Sequence, residues 1–352
     1  YKVVFIDGIH SPFLSDTTHD GLDVCLLSAA LSKPKYSELI KQYFGSVADK
    51  EENMTALNTS YAREGAYIYI PPSVVAEKPI EIIHLSTGDH GPVWLQPRNL
   101  IVVDTNAQVQ IVERHQSLLE HQVVTNSVTE LIAHQEALVD YYKIQNDLDS
   151  ASLIDNTYIA QDKNSHVSVH TFSFGGKITR NNLNFYQRGE HINSTLKGIT
   201  LLQGKQHVDH NTLVHHAQPN CESHQDYKGI FSDRSIGVFN GKILVDKIAQ
   251  KTNAFQQNNN VILNDKAKVN TKPQLEIFAD DVRCSHGCTI GQLDEEALFY
   301  LRSRGIPKKE AKGLMTYAFA NNVLQSVQIP TLKKRINKLI ANKLGVNLGF
   351  DL

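Results

Sequence analysis

Apolar and polar side chains alternate in short runs between residues 66 and 292, and apolar residues recur at helical spacing outside that stretch. Tyr67 to Pro72 is a β-rich run closed by prolines. Ile80 to Leu85, Leu100 to Val103, Val109 to Val112 and Val123 to Val128 follow. Farther along come His166 to Phe174, Ile192 to Leu202, Ile230 to Phe239 and Val261 to Leu263. β-branched and aromatic residues dominate these runs, and Gly, Asn and Asp punctuate them, which predicts an all-β body of many short strands.

The flanks predict helices. Pro34 opens one, with Leu39, Ile40 and Tyr43 on one side and Gly45 as its stop. Met54, Leu57 and Tyr61 suit a second. After Leu293, Asp294 is an N-cap, Leu298 and Leu301 share a side, Arg302 and Arg304 sit in the last turn, and Gly305 ends the helix. Pro307 opens a helix with Ala311, Leu314, Met315, Ala318, Phe319 and Val323 as its apolar face. Pro330 breaks it. A basic amphipathic helix follows, with Leu332, Ile336, Leu339 and Ile340 on one face and Lys333, Lys334, Arg335, Lys338 and Lys343 elsewhere. That basic side is either a solvated face or a docking surface for a partner protein. The expected organisation is therefore an N-terminal, partly helical region over 1–65, a β core over 66–292 and a helical domain over 293–352.

A weak internal repeat separates two all-β architectures. Phe231-Ser-Asp233-Arg resembles Leu263-Asn-Asp265-Lys at an offset of about 32 residues. Ile243-Leu-Val-Asp246 resembles Ile277-Phe-Ala-Asp280 at about 34. Such a period is the trace of a stacked β-solenoid; a sandwich or jelly roll is the alternative.

Composition narrows the function. Lys and Arg number 35 against 37 Asp and Glu, a formal net charge of −2. That near-balance argues against a general nucleic-acid-binding surface. No stretch approaches the apolar length of a membrane span. The chain opens with Tyr1 rather than Met, so a fragment with any targeting segment out of view is expected. Four cysteines, Cys25, Cys221, Cys284 and Cys288, are too sparse for a disulfide-stapled secreted domain and suit reduced thiols in the cytoplasm. The triplets at Asn53, Asn58 and Asn193 carry little weight without a secretory signal. No phosphate-binding Gly-Lys-Ser/Thr loop, dinucleotide Gly-rich fingerprint or hydrolase nucleophile elbow is present.

Candidate chemistry concentrates in Cys284-Ser-His286-Gly-Cys288. On a strand, alternate side chains share a face, so both thiols and the imidazole project together. Neighbours in that row are about 6.6 Å apart along the strand, too far for the outer pair to close one tetrahedral site alone. Such donors suit iron–sulfur clusters, zinc or copper; packing inside a solenoid is the bland alternative. A second His-rich segment holds His210, His215, His216, Cys221 and His224, without a metalloprotease spacing, and reads as structural.

Two runs resemble the SufB/SufD family of iron–sulfur cluster assembly proteins. Asp209, Thr212, His216, Cys221, Ser223, Gln225 and Lys228 match its central signature. Asp281-Val-Arg-Cys284-Ser-His286-Gly, then Gly291-Gln and Leu298-Phe-Tyr-Leu-Arg-Ser-Arg-Gly305-Ile, match the C-terminal signature of its SufD branch. Asn270-Thr-Lys-Pro-Gln-Leu275 stands where a SufB chain carries a cysteine-containing segment. The resemblance spans about residues 60 to 345.

That resemblance implies a right-handed parallel β-helix with flanking helical regions. It implies a non-catalytic scaffold subunit, cytoplasmic, that pairs with SufB through the β-helix and docks the SufC ATPase through the helices between Asp294 and Leu344. His286 and Cys284 would meet a nascent iron–sulfur cluster or iron, transient and shared with SufB, with no cofactor bound tightly by the isolated chain. Cys288, often alanine in the family, would join them as a shared metal ligand. A homodimer in the absence of the partner is allowed; nucleic acid and membrane are not expected partners. Competing readings are a β-helix enzyme acting on polysaccharides and a purely structural interaction module.

Overall fold

The computed structural model describes residues 1–17, 21–88 and 91–346. Three short strands, β1 (Lys2–Ile6), β2 (Ile9–His10) and β3 (Asp23–Leu26), precede three helices, α1 (Leu27–Leu31), α2 (Pro34–Tyr43) and α3 (Asn53–Tyr61). The next strands are β4 (Ala66–Ile70), β5 (Ile80–Ser86), β6 (Val93–Leu95), β7 (Arg98–Val103), β8 (Gln108–Ser117), β9 (Val123–Ala133) and β10 (Leu138–Gln145). They continue as β11 (Ala151–Gln161), β12 (His166–Ser173), β13 (Ile178–Gln187), β14 (Asn193–Leu202) and β15 (His207–His216). β16 (Glu222–Phe231), β17 (Ile236–Val245), β18 (Asn253–Ile262), β19 (Lys268–Ile277) and β20 (Arg283–Gly291) complete the β body. Helices α4 (Glu295–Ser303), α5 (Lys308–Gln325) and α6 (Pro330–Leu344) follow.

From β7 onward the strands alternate between two sheets. One sheet runs β2-β1-β5-β8-β10-β12-β14-β16-β18-β20, the other β19-β17-β15-β13-β11-β9-β7-β4-β3. Pairing is parallel except at the start, where β2 lies antiparallel to β1 and β3 to β4. Each turn therefore adds one rung to each sheet, which is a parallel β-solenoid and excludes the sandwich. One turn takes 26 residues between Ser152 and Ile178 and 32 between Ile236 and Lys268. The first repeat found in the sequence matches this period. The second is shifted by two, because Ile243 pairs with Leu275 rather than Ile277.

Period-two patterning builds the walls. Val109 and Ile111 on β8, Val139 and Tyr141 on β10, and Val167 and Val169 on β12 stack into the lumen. Corners are made by residues in the left-handed region, where Asn and Asp are tolerated. Asn106, Glu136 and Asn164 have φ near +60°, and each donates its backbone N–H to the next turn's corner. The run Ile230 to Phe239 is not one strand: Asp233, at φ 56°, turns the chain between β16 and β17.

The terminal regions cling to the solenoid. β1 and β3 precede the boundary expected at residue 66 yet extend both sheets. Helix α2 buries Tyr36 and Ile40 against Tyr67, Leu100 and Val102 on one outer face. Helix α3 forms where expected, but its buried residues are Thr55 and Asn58, not Met54 and Leu57. The Asn58 amide donates to Pro97 O and Asn126 O, so a polar patch of wall selects a polar helix face.

Helices α5 and α6 cover the outer face of the other sheet. Val323, Leu324, Leu332, Ile336 and Ile340 pack on Tyr142, Ile144, Phe172, Phe174 and Ile199. Each such aliphatic side chain contributes about 1.5–3 kcal/mol when fully buried. Helix α5 buries Ala311 and Val323 as expected, together with Gly313, Thr316, Ala320 and Leu324; of the rest of the expected face, Leu314, Met315 and Phe319 are half-buried and Ala318 is exposed. Pro330 does break the chain, as the first residue of α6. Asp294 caps α4 by accepting from Glu296 N and Ala297 N. Residues 347–352 of the expected C-terminal domain lie outside the described residues.

Candidate functional site

β20 carries the Cys/His row, and it is the last rung of its sheet, hydrogen-bonded on one side to β18. Two glycines, Gly287 and Gly291, weaken it as a strand. The ladder to β18 and side-chain bonds hold it: the Asn260 amide donates to Thr289 O at 3.3 Å, and Thr289 Oγ1 donates to Asn259 Oδ1 at 2.9 Å. In register, Cys284 lies over Ala254, His286 over Gln256 and Cys288 over Asn258.

That register fixes the direction of the row. Ala254, Gln256 and Asn258 are buried lumen residues. Their partners one rung up share the same face, so Cys284, His286 and Cys288 stand at the mouth of the lumen. No further turn covers them among the described residues. His286 and Cys288 are exposed and Cys284 is half-buried. Cys284 packs with the cluster around Ile243, Val245 and Ala279. Burial pushes its thiol pKa up, and a backbone contact at Ala254 only partly opposes that.

The lumen beneath the row is polar. Gln225 and Gln256 occupy one column under His286, and Tyr227 and Asn258 occupy the next under Cys288. Thr212 Oγ1 donates to Gln225 Oε1 at 2.8 Å. Gln256 is 1% exposed, yet neither amide atom has a hydrogen-bond partner. Its amide lies across the lumen from Gly241, where a Cβ would meet Gln256 Nε2 at 2.3 Å. A buried amide without partners is costly, and this one lies a single rung, about 4.8 Å, below the His286 position. Gln225 was named in the sequence only as part of the family signature, and Gln256 not at all. The signal was there: Gln225 and Gln256 fall on the core phase of their strands, where alternation calls for apolar residues.

In the second His-rich segment, His210 and His216 are buried and hydrogen-bonded within the wall. His210 Nε2 lies 2.8 Å from Thr200 Oγ1, and His216 Nε2 lies 2.9 Å from Ser223 Oγ. Burial lowers both imidazoles, to about 4 and about 3. His215 pairs with Asp246 at 2.9 Å, and Cys221 is fully buried. His224 is part-exposed and stacks on Phe255. Cys25 is half-buried beside α2, far in sequence from the row.

The row's three side chains are not gathered around one point. Among the described residues, the His, Cys, Asp and Glu ligand atoms that do converge within 4.8 Å belong to His84, Glu113 and His115, at the other end of the solenoid. What β20 offers is an open line of two thiols and an imidazole, accessible from beyond the last rung. Exposed apolar side chains surround that end: Phe278, Ile290, Phe299 and Tyr300. Among the described residues no helix is long and apolar enough to cross a membrane.

Comparison with known proteins adds the following. The family described as "SUF system FeS cluster assembly, SufBD core domain" matches residues 84–319, and the "SufBD protein N-terminal region" matches residues 7–82. A Synechocystis protein named an iron-sulfur cluster assembly SufBD family protein is 33% identical, over 97% of this chain and 77% of its own length. The iron-sulfur cluster assembly protein SufD of Escherichia coli is 30% identical, over 97% of this chain and 79% of its own. SufD of Bacillus subtilis is 28% identical, over 88% and 71%.

Proposed function

The chain belongs to the SufBD family of the SUF iron–sulfur cluster assembly system, and from that premise we propose that it is a cytoplasmic, non-catalytic scaffold subunit working in the manner of SufD. The observation that carries this reading is the uncovered last rung, where Cys284, His286 and Cys288 face out of the lumen. In this proposal the row supplies part of a coordination sphere for a nascent iron–sulfur cluster or iron. SufB, paired through the free edges of β19 and β20, supplies the rest. Free strand edges present unpaired N–H and C=O groups, the usual basis of strand addition.

Thiolate and imidazole are the donors that iron–sulfur chemistry uses. His286 serves as an accessible imidazole ligand. Cys288 is the more exposed thiol, and Cys284 is half-buried with its pKa raised by burial. The unpartnered Gln256 amide below them can hold a water or a ligand atom in place. Family membership supports the assembly reading over the polysaccharide-acting alternative.

SufC docking belongs to α4–α6 in the same proposal. The apolar face of α6 is already covered by the solenoid. The surface left for a partner is therefore the exposed Lys334, Arg335 and Lys338, with Phe299 and Tyr300 of α4. This decides between the two sequence readings of the basic side only if SufC binds there.

The test is co-purification with SufB and SufC, reconstitution with iron and sulfide, and a visible absorption spectrum. The complex is expected to acquire sulfur-to-iron charge-transfer absorption that His286→Ala reduces without lowering the melting temperature. An unchanged cluster yield in that variant removes the site assignment. Failure to retain SufB and SufC removes the scaffold reading.

A further inference from the structure

The lumen is lined by apolar side chains through its first turns, with one break. On the core phase of β8, after Val109 and Ile111, come Glu113 and His115. His84 on β5 lies in register with His115. Lys143 on β10 lies in register with Glu113, and Asp155 projects from the opposite sheet. Glu113 is fully buried, and His84 and His115 are 7% and 6% exposed.

The ligand atoms of this group lie within 4.8 Å of one another. Nε2 of His84 and Nε2 of His115 each lie 3.5 Å from Glu113 Oε1. Neither Nε2 has a hydrogen-bond partner. A hydrogen bond would bring them to about 2.7–3.2 Å. Ligands on a tetrahedral ion with bonds of about 2.0–2.2 Å stand about 3.4 Å apart. The two nitrogen–oxygen spacings are compatible with ligands of one ion.

Neighbouring groups hold Glu113 in place. The imidazoles stack, with centroids 4.6 Å apart and planes 12° from parallel, so one ring must turn about its side-chain bonds before both in-plane lone pairs address one ion; Phe5 stacks on His84 at 5.2 Å. Lys143 Nζ holds Glu113 Oε2 at 2.9 Å, and the Tyr141 hydroxyl donates to the same oxygen. The Asn99 amide donates to Oε1 at 3.2 Å. Outer partners of this kind orient ligands in metal sites. With neutral imidazoles, Glu113, Asp155 and Lys143 leave one uncompensated negative charge in the interior, where it is costly. A proton on an imidazole or a metal ion can balance it.

His84 also lines an open cavity of about 390 Å³, whose wall includes Asp7, Tyr61, Glu64 and Trp94. Six rungs separate β8 from β20, about 29 Å at 4.8 Å per rung. The group is therefore independent of the Cys/His row.

We propose that His84, Glu113 and His115 form a mononuclear site for a divalent transition-metal ion of the zinc or ferrous class. Two imidazoles and one carboxylate, without a thiolate, suit such an ion and neither calcium nor an iron–sulfur cluster. The site goes beyond the cluster-scaffold reading and does not depend on it.

The test uses the full chain, stripped with chelator and titrated with Co²⁺ by absorption and Zn²⁺ by calorimetry. One equivalent of Co²⁺ is expected to bind with ligand-field bands and no thiolate charge-transfer band. His84→Ala and His115→Ala are expected to weaken it by at least the ~10–100-fold lost when an outer partner is removed, and Cys284→Ser with Cys288→Ser to leave it unchanged. Zn²⁺ should raise the melting temperature of the wild type and not of the His variants. If His84→Ala does not fold, His84→Gln is measured instead. Absence of stoichiometric binding overturns the site. So does undiminished affinity in whichever His variant folds, and so does a thiolate band abolished by the Cys substitutions, which would move the ion to β20.

Discussion

Gln328 donates its backbone N–H to the Tyr142 hydroxyl at 3.1 Å, across 186 residues of sequence. That bond pins the α5–α6 connection to the wall of β10. Tyr142 also stacks on His170, whose Nε2 meets Ser326 Oγ at 3.0 Å. Tyr142→Phe removes the hydroxyl and with it this part-buried hydrogen bond, a net loss of about 0.5–1.5 kcal/mol. Hydrogen exchange over residues 326–340 is expected to accelerate, with the β core unchanged. Exchange that stays at the wild-type rate there contradicts the clamp.

A buried ion pair secures the other flank. Glu130 accepts from Gly45 N at 2.8 Å and from Val47 N and Ala48 N at 3.0 Å, while Arg98 pairs with it from β7. Arg98→Ala strands a buried carboxylate, which costs about 3–5 kcal/mol. Urea unfolding should show that loss, and limited proteolysis should cut first between residues 44 and 52. A change under about 1 kcal/mol would mean the pair is not structural.

Thiol reactivity should follow exposure and ionisation. Cys288 is exposed, Cys284 and Cys25 are half-buried with pKa values raised by burial, and Cys221 is buried and likewise raised. Maleimide labelling followed by peptide mass spectrometry is expected to find Cys288 first and Cys221 only in denaturant. Early labelling of Cys221 contradicts the register of the central turns.

Stability should fall with acidity above the carboxylate range. Burial lowers His170, His210 and His216 to about 3, about 4 and about 3, so the folded chain keeps them neutral. The unfolded chain protonates them near pH 6.5. Below that pH the unfolded state binds more protons, and stability declines as pH drops toward the folded values. Each contributes a slope of about 1 kcal/mol per pH unit in that window. Urea midpoints between pH 7 and 5 should decline less steeply in His216→Asn than in the wild type. Equal slopes would contradict neutral burial of that ring.

The solenoid was legible because its signal is local. Short alternating runs such as His166 to Ser173 each specify one rung, and the Asp233/Asp265 corners repeat with the coil. The segment around Ile230 misled because apolar residues on both sides of a tight corner read as one strand. Helix faces were harder: Asn58 and Thr316 point inward because the wall beneath them, not their own polarity, sets the face. The Cys/His row was legible as a line of donors, since strand geometry alone sets its direction. Its position at an uncovered end depended on where the coil stops. His84, Glu113 and His115 escaped notice because one ligand lies on a different strand, and only the register of β5 against β8 unites them.

Equal rungs make the molecule a ruler. The separation between His115 and His286 is a whole number of strand spacings, set by how many coils lie between them. Splicing in one more coil of about 30 residues would lengthen that separation by about 4.8 Å, leaving the chemistry at both ends untouched. Evolution can thus tune the reach of this protein in discrete steps without redesigning either terminus.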